Sequence, residues 1–291
     1  MKLLVKFNLV LIAVFAVGIV PAGILSRNLL QKNARTQVLQ DARIMMETAL
    51  AVRGYTVNQV APLLKDRLEE KFLPQTVPAY SATEVFNALR QSNPAYTYKE
   101  ATLNPTNPRD RVVDWEADVV NAFRNDPAKK EIIGDRQTPE GPSLFLSHPI
   151  QIKDEKCLSC HTSPETSPAS VVKTYGTSNG FGWKMGEVVG AQIVQVPTSL
   201  PVGMADQAFR TLMLSLVSVF LATLVVLNVL LEIVIVRPLR RLSQMADRVS
   251  LGELDVPEVE VKGRDEVAML AGSFSRMRIS LRKALALLDE E

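Results

Sequence analysis

Cysteine and histidine are scarce in this chain, with two of each among 291 residues. A scaffold stapled by several disulfides is therefore excluded. Charge of one sign is missing too: the formal net charge is +2, so no broad basic surface is on offer and nucleic acid is not an expected partner. The sequence holds no Ser-His-Asp set, no P-loop and no kinase glycine loop, and no histidine follows His161. Neither catalysis nor a downstream phosphoacceptor histidine is expected, so the protein is read as a non-enzyme.

Apolar sequence is abundant. A hydrophobic content of 47% beside 22% charged residues fits a globular protein with membrane segments. Residues 7–25, FNLVLIAVFAVGIVPAGIL, carry no charge, and neither does Thr211 to Leu231, whose apolar character resumes after Glu232 and runs to Val236. Each supplies about the 20 residues that a helix needs to cross a hydrocarbon core. Residues 7–25 and 209–236 are read as transmembrane helices, with a signal peptide cleaved near Val20-Pro21-Ala22 as the alternative for the first. Lys2 and Lys6 precede the first span, and Arg237, Arg240 and Arg241 follow the second. Lysine and arginine stay on the cytoplasmic side. Residues 1–6 and 237–291 are then inside, and residues 26–208 form an extracytoplasmic domain. The membrane is a bacterial cytoplasmic membrane, or a thylakoid membrane where the source has one.

Within that domain the apolar period changes twice. Val38, Ala42, Met45, Ala49 and Val52 recur on one face of a long helix, Arg27 to Leu64, that continues the first span. Ser81-Ala82-Thr83-Glu84 reads as a capping box opening a helix with Val85, Phe86 and Leu89 inward. Tyr98 to Asp110, YKEATLNPTNPRD, reads as a loop, and Val112, Trp115, Val119 and Phe123 as a further amphipathic helix. From Ser143 the period is two: Leu144, Leu146, His148, Ile150 and Ile152 share one strand face, and Pro149 marks an edge position. A glycine-rich run, YGTSNGFGWKMGE, leads into a second strand, Val188 to Val196. The fold class is α+β.

In the C-terminal tail, Pro238 precedes a short helix with Leu239, Leu242, Met245 and Val249 on one side, ended by Gly252. After an extended linker, ELDVPEVEVKGR, come Val267, Leu270, Phe274, Met277, Leu281, Ala284 and Leu288 at alternating three and four spacing. That is an a/d seam, which buries only against other helices. Two such helices per chain make a parallel four-helix bundle in a homodimer. RPLRRL, GELD and GRDEVAMLAGSFSRM resemble a HAMP linker, the module that joins membrane helices to output domains in bacterial receptors. The resemblance implies a cytoplasmic signalling partner, or an output domain outside this chain.

Both cysteines and one histidine fall in KCLSCH, Lys156 to His161. Three chemistries use cysteines at this spacing. C-x-x-C-H is the attachment pattern of covalent haem: Cys157 and Cys160 would hold the porphyrin as thioethers, and His161 would be the proximal iron ligand. A redox dithiol would leave His161 incidental. Zinc would need His148 as a fourth ligand beside the awkward neighbours Cys160 and His161.

The domain as a whole resembles membrane-anchored sensors whose extracytoplasmic PAS-like domain carries one c-type haem. KCLSCHTSP, LNPTNPRDRVVDWE, GFGWKMGEVVGAQIVQVP and DARIMMETALAVRGYT carry the likeness. It implies a PAS-like fold with the distal haem face against the long helix. With no third cysteine, the candidate sixth ligands are Met46 or Met45 on that helix, or His148 on the strand. An open or water-filled site is the remaining case, and both methionines also read as gap-filling core residues. Arg53, beyond the methionines, is a candidate propionate partner or a solvated surface residue. The expected function is a haem-c sensor of redox state or of a diatomic gas that signals through HAMP. The alternatives are a membrane-anchored c-type cytochrome for electron transfer, or a small-molecule receptor whose C-x-x-C-H is empty.

Overall fold

The computed structural model describes residues 3–68, 70–253, 255–257 and 265–288. The chain divides into two compact units, Arg27–Ala208 and a second made of Met1–Ser26 with Phe209–Glu291. Helix α1 is one α-helix from Leu3 to Tyr55, carried on through a π-helical turn, Thr56–Val60, into α2, Ala61–Leu64. Then follow α3 (Pro78–Ser92), β1 (Thr97–Thr102), α4 (Asp114–Asn125), β2 (Ile132–Thr138) and β3 (Gly141–Gln151). The short helices α5 (Glu155–His161) and α6 (Ala169–Tyr175) and the strand β4 (Val188–Pro197) complete the first unit.

The four strands form one antiparallel sheet in the order β1-β4-β3-β2. One face takes α1 and α3. Val38, Ala42, Met45, Met46 and Ala49 of α1, with Ala82 and Phe86 of α3, pack on Tyr98, Leu144, Leu146, Val194 and Val196. The other face takes α4, whose Val119, Val120 and Phe123 meet Ala101, Ala191 and Ile193, with Trp115 and Phe145 beside them. As a central strand β4 is buried on both faces, which is why its sequence is apolar almost without alternation.

The α+β class and the α1 stripe agree with the sequence reading, and four local expectations need correction. The capping box at Ser81 is not a helix start. Pro78 stands in the first turn after Val77, so α3 begins earlier, and the Ser81 hydroxyl donates to the Gln75 carbonyl. Phe86 is inward, but Val85 and Leu89 are exposed. Tyr98 to Thr102 is not loop but most of β1. On its α1-facing side the buried Tyr98 and Glu100 combine an aromatic ring with a charge, and that disguised the alternation. Finally, β3 is an inner strand. Pro149 is tolerated because β2 begins at Ile132, opposite Ser147, so β2 does not reach Pro149. Strand β2, IIGDRQT, had no expectation, since polar residues interrupt it.

Helix α7 (Ser199–Leu231) starts in the first unit and has most of its length in the second; it passes through a π-helical turn, Glu232–Val236, into α8 (Arg237–Ser250), and α9 spans Glu266–Leu288. The helical runs Leu4–Arg67 and Ser199–Ser250 contain stretches of mean hydropathy 2.6 and 2.8, long and apolar enough to cross a membrane. Between these stretches the Asn8 and Asn228 amides donate to each other at 2.9 and 2.8 Å, and Phe15 stacks on Phe220. On α8, Leu242, Met245 and Val249 are buried with Val256, Ala271 and Phe274, and Gly252 (φ +94°) lies just past its end. The seam residues Leu270, Met277 and Leu281 of α9 are 52%, 56% and 43% exposed in the single chain, as a/d positions are before a second helix covers them. Leu254, residues 258–264 of the linker, the Leu288 side chain and residues 289–291 lie outside the described residues.

Phe123→Ala is expected to lower the unfolding free energy of the first unit by about 3–5 kcal/mol. Val85→Ala, at an exposed position, should change it by less than about 0.5 kcal/mol. Denaturant unfolding followed by tryptophan emission reads this unit alone, because Trp115 and Trp183 are the chain's two tryptophans. Comparable losses in both variants would contradict the packing described.

Candidate functional site

The site begins with a helix start. Asp154 caps α5 by accepting from the Lys156 amide at 2.9 Å, and the Cys157 amide donates to the Asp154 carbonyl. One turn of helix then separates Cys157 from Cys160, which puts both on one side. Both are free thiols, half-buried. His161 is the last residue of α5.

A segment remote in sequence orients His161. Its Nδ1 lies 2.7 Å from the Gly180 carbonyl oxygen. A carbonyl only accepts, so Nδ1 carries the proton and donates. Nε2 is left as the bare lone pair, the arrangement in which a histidine binds a metal. Burial pushes the His161 pKa below its ordinary value, and the Gly180 bond only partly opposes this, which favours the uncharged ring. The Trp183 indole stacks on the imidazole at 3.8 Å between centroids and 11° between planes. Backbone bonds tie the two segments together, Trp183 N–H to His161 O at 3.2 Å and Gly182 N–H to Thr162 O at 3.0 Å.

The carbonyl that holds His161 is itself held by the chain after β1. Asn104 accepts from the Gly180 amide at 3.1 Å and donates to the Phe181 carbonyl at 3.2 Å. Gly180 has φ +85°, and a Cβ there would stand 2.0 Å from Thr106 Oγ1. Only glycine suits that backbone and that contact. The Thr106 hydroxyl also lies 3.4 Å from His161 Nδ1. Asn104, Thr106, Gly180 and Trp183 were not singled out from the sequence. A tryptophan following three closely spaced glycine-loop residues was the available signal, but no local pattern links it to a histidine 22 positions earlier.

The remaining candidates divide. Arg53 forms an ion pair with Glu100, a buried carboxylate that also accepts from the Tyr98 hydroxyl at 2.7 Å. Burial works most strongly against the Arg53 charge, but Glu100, Tyr98 and Cys157 together more than offset it and raise the pKa. Arg53 is near enough to act electrostatically on Cys157, although burial and Asp154 together still push that thiol up. A redox-active cysteine is favoured by the opposite shift. Met45 and Met46 are core residues of the α1 face, with Met46 1% exposed. His148 is not enclosed by apolar residues as expected. It is 30% exposed, with Nε2 3.5 Å from the Glu131 carboxylate, which Arg43 of α1 also binds. Among the described residues no three His, Cys, Asp or Glu side chains converge to hold a metal ion, so the four-ligand zinc site is not assembled.

The residues do suit a covalently held haem, which asks of the protein two thiols on one turn and one imidazole with a free Nε2. Asn104→Ala removes both side-chain bonds to the glycine loop. It is expected to cost about 1–3 kcal/mol and to speed amide exchange at Gly180 to Trp183, while α4 amides keep their rates. Unchanged protection at Gly180 would mean that something other than Asn104 holds the loop.

Residues 233–283 match the HAMP domain, and residues 31–197 match the Tll0287-like family. Among solved structures, the chain is similar to the cyanobacterial heme-protein Tll0287 at 19% identity and a TM-score of 0.41, over 55% of this chain and 94% of that one. No curated protein matches it in sequence. The Tll0287-like match accounts for more than half of the chain, and the protein therefore belongs to the Tll0287-like family.

Proposed function

We propose that the protein is a membrane-bound sensor that carries one haem c in its extracytoplasmic, PAS-like domain and signals through a dimeric HAMP domain to a cytoplasmic partner. The observation that carries this reading is the orientation of the His161 ring. With Nδ1–H bound to the Gly180 carbonyl, its Nε2 is free, directly after two free thiols on one helical turn. The protein for which the family is named is described as a heme-protein, which points the same way.

Haem, when bound, supplies an iron centre that changes charge on reduction and takes diatomic gases. Cys157 and Cys160 would hold it as thioethers, and His161 would ligate the iron through Nε2. Gly180 keeps the His161 proton on Nδ1, and Asn104 keeps Gly180 in place. As sixth ligand, Met46 or Met45 is favoured over His148, because the His148 Nε2 faces Glu131. A ligand from α1 would tie the site to the helix that runs on into the first apolar stretch. Arg53 is the weaker part of the reading, since Glu100 already neutralises the charge it would offer a propionate. Driving a two-state element from mostly off to mostly on takes about 5.5 kcal/mol of differential stabilisation.

A membrane-anchored electron carrier is the second reading. The HAMP match over residues 233–283 favours the sensor, since a tethered cytochrome needs no such module.

Two outcomes test this. The full chain, made in cells that mature c-type cytochromes, should keep its haem stain on a denaturing gel, and Cys157→Ser with Cys160→Ser should abolish it. A colourless parent band ends the haem reading. In the oxidised and reduced absorption spectra, Met46→Ala or Met45→Ala should give five-coordinate or water-ligated iron while His148→Ala changes little; the reverse would make His148 the ligand. Spectra of the reduced protein that ignore both CO and NO would favour the carrier.

A further inference from the structure

We infer that Trp183 is a positioning residue for the iron ligand His161, which deepens the reading above and rests on it. An imidazole has two freedoms that matter to a metal: the tilt of its plane, and the direction of Nε2 within that plane. The Gly180 carbonyl, 2.7 Å from Nδ1, sets the in-plane direction and the tautomer. It leaves the plane free to swing, because a carbonyl accepts over a broad range of angles. The Trp183 indole, 3.8 Å away and within 11° of parallel, closes that second freedom.

The stack is built into the backbone. Trp183 N–H donates to the His161 carbonyl and Gly182 N–H to the Thr162 carbonyl, so the two residues are paired before their rings meet. Gly180 and Gly182, at φ +85° and +79°, turn the chain so that the carbonyl and the indole reach one ring from different sides. A covering role alone would need only apolar bulk at position 183. A positioning role needs a plane.

The test turns on that difference, and the chain suits it because His148 and His161 are the two histidines present. Labelling with ¹⁵N-histidine therefore yields two ring systems, and His148→Gln assigns them. In the full chain made without haem attachment, Trp183→Leu and Trp183→Met should speed solvent exchange of the His161 Nδ1 proton. Aromatic pairing of this strength sets the scale at up to about tenfold. Trp183→Phe keeps a plane and should stay near the parent rate. In the haem-loaded chain, the ferric electron paramagnetic resonance g-values should shift for Leu and Met and be restored by Phe. The remaining tryptophan, Trp115, reports whether each variant is folded. Exchange rates equal to the parent's in both Leu and Met variants overturn the inference, as does a Phe variant that behaves like Leu. A parent that never takes up haem defeats the proposed function instead, while the exchange rates still decide what Trp183 does for the ring.

Discussion

Everything in the first unit rests on one apolar stripe of α1 buried against one face of the sheet. Val38, Ala42, Met46 and Ala49 are at most 1% exposed there, and burying a side chain the size of valine or methionine is worth about 1.5–3 kcal/mol. Apolar contact is non-directional, so it does not by itself decide where along the sheet the helix stops. Three arginines of α1 add that information, each meeting a sheet-side carboxylate: Arg35 with Asp135, Arg43 with Glu131, and Arg53 with Glu100. The first two pairs are solvated and contribute at most about 1 kcal/mol each. The third is largely buried, and leaving Glu100 without its cation would be costly.

That third pair links the scaffold to the site. Arg53 stands at the end of α1 where the helix gives way to a π-helical turn, and its charge reaches Cys157. On the sheet, Glu100 is paired with Gln192, and Gln192 with His148. The row runs from a buried carboxylate to a partly exposed imidazole. The same face is apolar where Met46 lies and polar where Arg53 meets Glu100.

How much was legible depends on how local each feature is. The two apolar stretches, the α1 stripe and the α8 and α9 patterns were readable because apolar residues run unbroken or recur at a fixed period along one element. The cysteine pair and His161 were readable as a candidate site because all three fall on one short stretch of chain. Strands β1 and β2 were not. In β1 the buried Glu100 is stable only because Arg53 and Tyr98 partner it, and a charge that belongs inside looks like one that belongs outside. Pro149 misled for a related reason, since its tolerance depends on where a neighbouring strand begins.

From the chain alone came the α+β class, the helices apolar enough for a membrane, the HAMP seam and the identity of the thiols and the imidazole. Each follows from composition or short-range periodicity. Tertiary structure decided which ring nitrogen of His161 is free, because the accepting carbonyl is 19 residues away and is held by an asparagine a further 76 residues distant. It also gave Arg53 to Glu100 and His148 to Glu131. Hydrogen bonds and ion pairs act over about 3 Å of space whatever their separation in sequence, so no spacing rule along the chain could have named those partners.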